Sequence, residues 1–308
     1  MISWRYHVVS IVAVVLAFGL GILAGTSVVN DEFLRELREN TEEAQAQRDA
    51  AEAELVIHER VATELQPILR DGVLEGREAI VLTMEGVEGP ARRAIEELAA
   101  AGVEPLTTIS LTRRLLELDT EDLAVLQEIL GTTSGDETSL HLELAQELAA
   151  RLAFGPDPGP DDVLAALLDR GLVTADRDVD HEALQEIGGA GQLVALAAGG
   201  IPPDGLPDPA VLLLPLSEDL LQNQVPVAVV GPREDGYGLV EAVRASGAVP
   251  DCSLVTVDHI DLTIGGIALV MGLDRLLDDR DPAFRPGGDY GVRTGALLPG
   301  EPPASCRR

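Results

Sequence analysis

The hydrophobic pattern of the chain is most uneven near the N-terminus, where apolar residues run without interruption by charge. From Val8 to Val29 the segment VVSIVAVVLAFGLGILAGTSVV has 22 residues, and its only polar side chains are two serines and one threonine. A helix of that length measures about 33 Å, which matches the hydrocarbon core of a bilayer. The run predicts a transmembrane anchor over residues 1–30. A cleaved signal peptide is the alternative, because small residues follow from Gly25.

Charges on either side of this run indicate its orientation. Arg5 precedes it and Asp31 follows it, so the positive-inside rule places the N-terminus in the cytoplasm and the rest of the chain outside. The run also has a small residue at every fourth position of one face, which lets two helices approach closely. The members of this face are Ala13, Ala17, Gly21 and Gly25. The face predicts a homodimeric anchor, and the general abundance of Gly and Ala in membrane helices is the alternative explanation.

A heptad-like pattern follows over residues 31–67. Apolar positions recur at intervals of three and four residues until Pro67, as in a coiled coil. The seam is weak, because Thr41, Arg48 and His58 interrupt it and alanine fills much of the remainder. The pattern predicts a helical stalk that pairs weakly once the anchors are paired. A single solvated helix with Glu/Arg pairs is the alternative.

Beyond residue 70 the pattern changes to alternating strands and helices. The run AIVLTM at Ala79–Met84 predicts a buried strand, and Pro90 begins a helix that Gly102 closes. The segment Val103–Leu111 predicts a second strand. Residues 79–111 are therefore expected to form a β-α-β unit with parallel pairing and a right-handed crossover.

Elements of the same two kinds continue to residue 277. Helices are predicted over Arg113–Leu130, Thr138–Phe154, Pro160–Leu172, His181–Ile187, Gly238–Ala245 and Gly265–Leu277, with a short helical turn up to Ala198. Further strands are predicted over Ala210–Leu216, Val225–Val230 and Leu254–Val257. The fold class is therefore α/β: after the anchor and stalk, one exported domain over 72–280, a mainly parallel α/β sandwich with about five strands. Residues 281–308, rich in Gly, Pro and Arg, are expected to be an irregular tail.

The charge balance narrows the function classes. The 308 residues include 53 Asp and Glu against 22 basic residues, a formal net charge of −31, and all 22 are arginine. The absence of lysine excludes a phosphate-loop NTPase, a pyridoxal-phosphate Schiff base and a lysine nucleophile. The negative charge argues against binding to nucleic acid or to an anionic membrane surface. We interpret it as the hydrated surface of an exported domain, with adaptation to salt as a further hypothesis.

The sequence lacks the motifs that carry common catalytic chemistry. Neither Gly-x-Ser-x-Gly nor His-Glu-x-x-His occurs, and these patterns supply a nucleophile elbow or a zinc site. A ligand crevice is expected where the first strand ends, but Glu85 and Glu88 follow there and would repel a phosphate. The pair Asp258 and Asp261 is interpreted as a cap of the following element. We therefore predict a protein that is not an enzyme, with no catalytic residues and no cofactor.

Several segments of the chain resemble a known actinobacterial family. They are the start MISWRYHVVSIVAVVLAFGLGILAGTSVVND, the β-α-β unit ending in TTISLT, and SLVTVDHIDLTIGGIALVMGLDRLL followed by GGDYGVRTGA. In the same order, and over nearly the whole chain, they are similar to the family named after the mycobacterial copper transport protein MctB. The most specific parts are the TVDxID segment and the later Tyr-Gly, here Thr256, Val257, Asp258, Ile260, Asp261, Tyr290 and Gly291.

The resemblance implies a membrane-associated envelope protein linked to copper homeostasis through a channel or efflux role. A related corynebacterial protein is instead implicated in envelope integrity and division, alongside a partner protein. No set of copper ligands carries over residue by residue. A channel would need a large oligomer of the anchor, because a single apolar helix cannot enclose a pore.

Copper ligands therefore have to be sought among the residues of this chain. Copper(I) prefers thiolate and thioether ligands, and copper(II) prefers imidazole. The sequence has no Cys-x-x-Cys, no methionine-rich tract and no histidine pair at i, i+4. The weak metal candidates are His259, for which a solvated polar turn is the alternative, and Cys252. Cys252 and Cys306 are either bonded to each other in an oxidising compartment or free.

Two function classes remain. One is copper homeostasis or copper transport of the MctB type, and the other is a non-catalytic scaffold that regulates envelope assembly or cell division through a partner protein. Copper binding that is lost on replacing Cys252 or His259 would favour the first class. Recovery of a membrane or cell-wall partner without copper binding would favour the second.

Overall fold

The computed structural model of the chain describes eight stretches of residues. They are 4–133, 135–156, 162–175, 187–199, 207–233, 238–246, 254–277 and 288–291, with the side chains at 5, 23–34, 36, 37, 39, 51 and 54 outside the description. The chain divides into two compact units, Met1–Arg60 and Val61–Arg308.

A long helix makes up the described part of the first unit. Helix α1 runs from Trp4 to Arg70, and its last ten residues belong to the second unit. Apolar side chains near its start are exposed, as Phe18 is at 72 %. Farther along, Arg48 and Glu52 form an exposed ion pair one turn apart, with 2.7 Å between Nε and Oε1. Such a pair stabilises a solvated helix modestly.

The predicted anchor and coiled-coil stalk both fall on α1. Among the residues with described side chains, no helix is long and apolar enough to cross a membrane. The predicted anchor continues into residues 23–30, whose side chains lie outside the description. In the second unit, Ala62 of α1 is buried at 7 % exposure. The anchor and the pairing of the stalk stay predictions.

A seven-stranded sheet forms the centre of the second unit. Its strands are β1 (Ala79–Met84), β2 (Leu106–Leu111), β3 (Val173–Ala175), β4 (Leu193–Ala197), β5 (Val227–Val230), β6 (Leu254–Val257) and β7 (Gly288–Tyr290). They lie in the order β3-β2-β1-β4-β5-β6-β7. All neighbours pair in parallel except β2 and β3, which are antiparallel. The mainly parallel sheet is therefore confirmed, with seven strands where the sequence predicts five.

Helices cover both faces of this sheet. On one face lie α3 (Arg113–Leu116), α4 (Thr120–Leu130), α5 (Glu137–Phe154), α6 (Val163–Asp169), α7 (Ala210–Gln222) and α8 (Leu239–Ser246). On the other face lie α2 (Gly89–Ala100) and α9 (Thr263–Leu276). The α/β class predicted from the sequence is confirmed for this unit as a three-layer arrangement.

Burial on both faces explains why the strands are apolar without alternation. In β1, Ile80, Leu82 and Met84 pack into the core on one face, and Ala79 and Val81 pack into the core on the other. A parallel sheet covered on both sides selects such continuous apolar runs. The predicted β-α-β unit is confirmed, since β1 and β2 are parallel and α2 connects them.

Two apolar runs have a different structure from the one predicted. The predicted strand at Ala210–Leu216 is wrong, because this segment begins α7, where Asp208 Oδ1 accepts the Ala210 N–H at 2.9 Å. Its buried residues are spaced as on a helix: Leu212, Leu213, Leu216, Ser217 and Leu220. The predicted helical turn up to Ala198 is also wrong, because β4 is fully buried between β1 and β5. Short apolar runs fit either structure until their neighbours are known.

Three predicted elements have different limits. The single helix predicted over Arg113–Leu130 is two helices, because the Asp119 side chain accepts the N–H groups of Glu121 and Asp122 and starts α4. The strand predicted over Val103–Leu111 begins only at Leu106. The helix predicted over Pro160–Leu172 is limited to α6, which begins after the cap Asp162.

The end of the chain also differs from its prediction. The tail expected to be irregular contributes β7, which pairs with β6 at the edge of the sheet. The helix predicted over His181–Ile187 lies outside the described residues, except for Ile187.

Candidate functional site

The carboxyl ends of the parallel strands border a cavity of about 550 Å³, here termed the crevice. The chain leaves β1 toward β2 on one side, and β4 lies on the other, so the strand order reverses between β1 and β4. Ligands of open α/β sheets bind at such reversals, in cavities of about 300–1,000 Å³. The crevice is lined by Gly86, Val87, Gly89, Pro90, Arg92, Arg93, Glu96, Gly199, Pro232, Ile260 and Asp261.

The turn after β1 shapes one side of the crevice. Gly86 has a φ of +90°, which favours glycine, and its N–H donates to Glu88 Oε1 at 2.7 Å. The Glu88 carboxylate is thus used to hold the turn. Neither Glu85 nor Glu88 is among the described residues that line the crevice. The sequence predicts that these two carboxylates repel a phosphate, but the structure does not place them on the wall of the crevice.

Two arginines of α2 bring positive charge to the crevice. Arg92 is exposed and has no ion-pair partner among the described residues. Arg93 is half-buried and pairs with two carboxylates: Nη1 lies 3.2 Å from Glu96 Oε2, and Nη2 lies 2.9 Å from Glu97 Oε1. The Nε of Arg93 is buried without a hydrogen-bond partner in the described part of the chain. Arg92 therefore has donors available to a ligand in the crevice, whereas Arg93 uses both terminal nitrogens for carboxylates and its Nε is enclosed.

A buried carboxylate behind the crevice holds Arg93 in place. Glu97 is fully buried and accepts from Gln66 Nε2, at 2.9 Å to both carboxylate oxygens, and from Arg70 Nη1 at 3.2 Å. Gly266 of α9 makes the space, because a Cβ there would lie 2.4 Å from Glu97 Cδ. A buried charge is tolerated when it is paired and hydrogen-bonded in this way. Within the second unit, Glu97 thus joins the end of α1 to Arg93.

The opposite wall of the crevice follows β6. Asp261 is exposed, and its Oδ1 accepts the Arg233 N–H at 2.7 Å. Ile260 is fixed by a bond from its N–H to the Gly231 carbonyl at 3.1 Å. The predicted role of Asp258 and Asp261 as caps is wrong for α9, whose N-cap residue is Leu262 with no side-chain cap. Of the motif residues named from the sequence, Ile260 and Asp261 are the ones that line the crevice.

Other motif residues form a buried polar cluster around Arg244, here termed the Arg244 network. Arg244 Nη1 donates to Asp258 Oδ2 at 2.8 Å, and Nη2 donates to the Tyr290 carbonyl at 3.0 Å. Its Nε donates to Thr256 Oγ1 at 2.7 Å, and that hydroxyl lies 2.7 Å from Asp289 Oδ1. All three guanidinium nitrogens are used. The network fixes β7 beside β6.

The Tyr-Gly pair of the motif completes this attachment. Gly291 lies against Asp258 so closely that a Cβ would be 1.8 Å from Oδ1. Tyr290 is buried and pairs with Val257 in the strand register. Burial raises the pKa of Tyr290, and the side chain of Arg275 opposes this shift. The motif residues Thr256, Val257, Asp258, Tyr290 and Gly291 therefore hold the sheet edge together.

The histidine candidate for metal binding is enclosed beside this network. His259 is fully buried, and its Nδ1 lies 3.3 Å from Asp258 Oδ1. Neither ring nitrogen has a hydrogen-bond partner among the residues that the structure describes. Burial lowers the pKa of His259, and the negative charge of Asp258 opposes the shift. The solvated turn considered from the sequence is therefore wrong for His259.

Among the described residues, no further metal-ligand set lies beside this histidine. Cys252, the other candidate, lies outside the described residues, as does Cys306. Within the described ranges, no group of three or more His, Cys, Asp or Glu side chains could hold a metal ion. His259 and Asp258 alone do not make up the soft or imidazole-rich donor set that copper prefers.

The predicted helix-dimer face lies on α1. Ala13, Ala17 and Gly21 are exposed, and a Cβ at Gly21 would meet no atom within 4 Å. Gly25 is among the residues whose side chains lie outside the description. Pairing of two copies through this face stays a prediction.

The sequence reasoning did not single out Arg93, Glu97 or Arg244. A signal for the first two is their i, i+4 spacing, with Glu97 on the apolar side of α2 beside Ala94 and Leu98. An acidic residue on an apolar helix face predicts a buried partner. For Arg244, a weaker signal is its place next to the buried Val243 in α8, which puts an arginine at the border of the apolar helix face.

Comparison with known proteins relates this chain to one family. A family model described as "Copper transport outer membrane protein, MctB" matches residues 1–299. Proteins named copper transporter MctB from Mycobacterium bovis and Mycobacterium tuberculosis are each 25 % identical over 321 residues, covering 96 % of this chain and 98 % of the relative. The relative of the same name from Mycobacterium leprae is 25 % identical over 319 residues, with the same coverage.

Proposed function

The chain belongs to the MctB family, and from this membership we propose that it takes part in copper homeostasis as a protein of the cell envelope. The observation that carries the proposal is the family match over residues 1–299, which includes the apolar N-terminal run together with the α/β unit. The relatives that match over nearly their full length are named copper transporters. The names of these relatives, and the length over which they match, support a role in copper homeostasis.

We further propose that the apolar run Val8–Val29 attaches the protein to a membrane, with the second unit on the extracytoplasmic side. Support comes from the length of the run and from the charges around it, with Arg5 before and Asp31 after. The small residues Ala13, Ala17 and Gly21 support a homodimeric anchor.

The crevice is the part of the second unit best suited to act on other molecules. It combines a volume typical of ligand sites with an arginine, Arg92, that has no ion-pair partner among the described residues. His259, by contrast, is fully buried. We therefore propose that the domain contributes by binding a ligand or partner at the crevice, and that it is not an enzyme.

The second candidate function is a scaffold that regulates envelope assembly or cell division. The crevice favours it equally, because a binding site of this kind serves a partner protein as well as a small ligand. The two candidates differ in whether loss of the protein changes copper tolerance.

Growth in rising copper concentrations tests the copper role. A strain without the gene is complemented with the wild-type chain or with Val12→Arg, which places a charge in the apolar run. We expect the wild type to restore copper tolerance and Val12→Arg to fail. Equal tolerance with and without the wild-type gene would contradict the copper role and leave the scaffold.

Direct coordination is tested on the full chain in lipid nanodiscs. Copper(I) is titrated in competition with a chromogenic chelator, for the wild type, Cys252→Ser and His259→Ala. We expect no tight binding that depends on these residues. Binding lost in either variant would instead show that the protein coordinates copper itself.

A further inference from the structure

The crevice has a charge arrangement that selects for a class of ligand. We propose that it binds a small acidic ligand whose carboxylate or phosphate group pairs with Arg92 and whose far end donates a hydrogen bond to Asp261. This inference rests on the ligand-binding role proposed for the crevice and names the class of ligand, and calorimetry tests it without reference to copper.

The arginine side of the crevice has the donors that such a group needs. The guanidinium of Arg92 has all its N–H groups free of ion pairs among the described residues. Planar guanidinium groups bind carboxylates and phosphates through paired N–H donors. In a chain of net charge −31, carboxylates are abundant, yet none of those described pairs with Arg92. Its guanidinium is therefore available to an external anion.

The carboxylates described on the crevice wall do not pair with Arg92. Glu96 and Glu97 both pair with Arg93, at 3.2 Å and 2.9 Å, so the charge of Arg93 is already compensated. The positive charge available to an anion in the crevice is therefore that of Arg92.

The far wall adds a requirement at the other end of the ligand. One oxygen of Asp261 accepts the Arg233 N–H, and the exposed carboxylate has further acceptor capacity. Val87, Pro90 and Pro232 supply apolar surface along the wall. A ligand with an anion at one end, a short apolar body and a donor at the other matches these groups.

Isothermal titration calorimetry on the full chain in nanodiscs tests the proposal. The probes are inorganic phosphate, the dipeptide Ala-Ala with a free carboxylate, and the same dipeptide amidated. We expect saturable binding of phosphate, of the free dipeptide or of both, and at least tenfold weaker binding of the amide. Binding of phosphate alone would assign a phosphate-bearing ligand, and binding of the free dipeptide alone a carboxylate.

Two variants give the test its specificity. Arg92→Gln is expected to weaken binding roughly tenfold or more, because a charge-assisted pair is lost, whereas Arg92→Lys, which keeps the charge without the fork, is expected to weaken it less. The matched control is Arg113→Gln, an exposed arginine that pairs with Glu117 at 2.9 Å and does not line the crevice. No saturable binding of either anion would overturn the proposal. Equal binding by the wild type and Arg92→Gln would do so as well.

Discussion

The Arg244 network and the crevice lie at the carboxyl end of the same sheet. They differ in whether their arginine is bonded to neighbouring residues. Arg244 has every nitrogen bonded, to Thr256, Asp258 and Tyr290. Arg92 has no ion-pair partner among the described residues. An arginine whose donors are all bonded to neighbouring residues stabilises the structure, whereas an arginine without an ion-pair partner beside a cavity can bind a ligand. The family motif therefore marks mainly the first kind of site, and the binding function that we propose belongs to the second.

Breaking the Arg244 network should have the largest effect on stability. In Arg244→Ala the buried carboxylate of Asp258 loses its partner, and we expect the free energy of unfolding to fall by about 3–5 kcal/mol. Urea unfolding of the full chain in detergent, followed by circular dichroism, measures the change. The control Arg113→Ala removes an exposed pair and should change the free energy by less than about 1 kcal/mol. Equal losses in the two variants would show that the network is not structural.

Glu97 has properties of both regions. It is buried like the residues of the Arg244 network, and it pairs with Arg93, which lines the crevice. Glu97→Gln keeps the shape and removes the charge that Arg70 and Arg93 share. We expect a loss of about 1.5–3 kcal/mol, the range for hydrogen bonds to charged groups, in the same unfolding measurement. Unchanged stability would contradict a stabilising role for the ion pairs of Glu97 with Arg70 and Arg93.

His259 should make the stability of the second unit depend on pH. Burial lowers its pKa in the folded state below the ordinary 6.5, against the opposing charges of Asp258 and Asp261. As the pH falls below 6.5, the unfolded chain takes up the proton first, so the free energy of unfolding should decrease. The slope is at most about 1.4 kcal/mol per pH unit, and it ends once the folded histidine is also protonated.

The variant His259→Gln isolates this contribution from those of the other acidic and histidine side chains. Unfolding free energies of wild type and variant are compared between pH 7.5 and 5. We expect the wild type to lose more stability than the variant over that interval. A wild type that gains stability relative to the variant as the pH falls would contradict the burial argument.

Arg92→Gln should have the smallest effect on stability. The side chain is exposed and has no described ion pair, so the free energy of unfolding should change by less than about 0.5 kcal/mol. The same unfolding experiment measures it. A loss as large as that of Arg244→Ala would mean that Arg92 belongs to the structure, and the contrast between the two arginines would fail.

Much of the fold follows from the sequence because the strands are buried on both faces. The runs AIVLTM and LVTV have the continuous apolar character of a parallel sheet, and both are strands in the structure. The same character misleads at Ala210–Leu216 and Leu193–Ala197, because a short apolar run fits a buried helix as well as a strand. Neighbours in space decide between them: β4 has β1 and β5 on either side.

The candidate site was less predictable, because it depends on contacts between distant residues. The positions of Glu85 and Glu88 after β1 predict that a crevice there would repel anions. In the structure neither residue is among those that line the crevice, and Glu88 accepts a hydrogen bond from the Gly86 N–H. Nothing in the spacing of Gln66, Glu97 and Gly266 shows that they meet. Asp258 and Asp261 look equivalent in the sequence, yet one binds Arg244 and the other lines the crevice.

We propose that the domain serves copper homeostasis through the crevice, and the copper tolerance of a complemented deletion strain decides whether it does. The strain carries Arg92→Gln or the control Arg113→Gln, each expressed at the wild-type level. We predict that Arg113→Gln restores copper tolerance and Arg92→Gln does not. Full restoration by Arg92→Gln would contradict the claim.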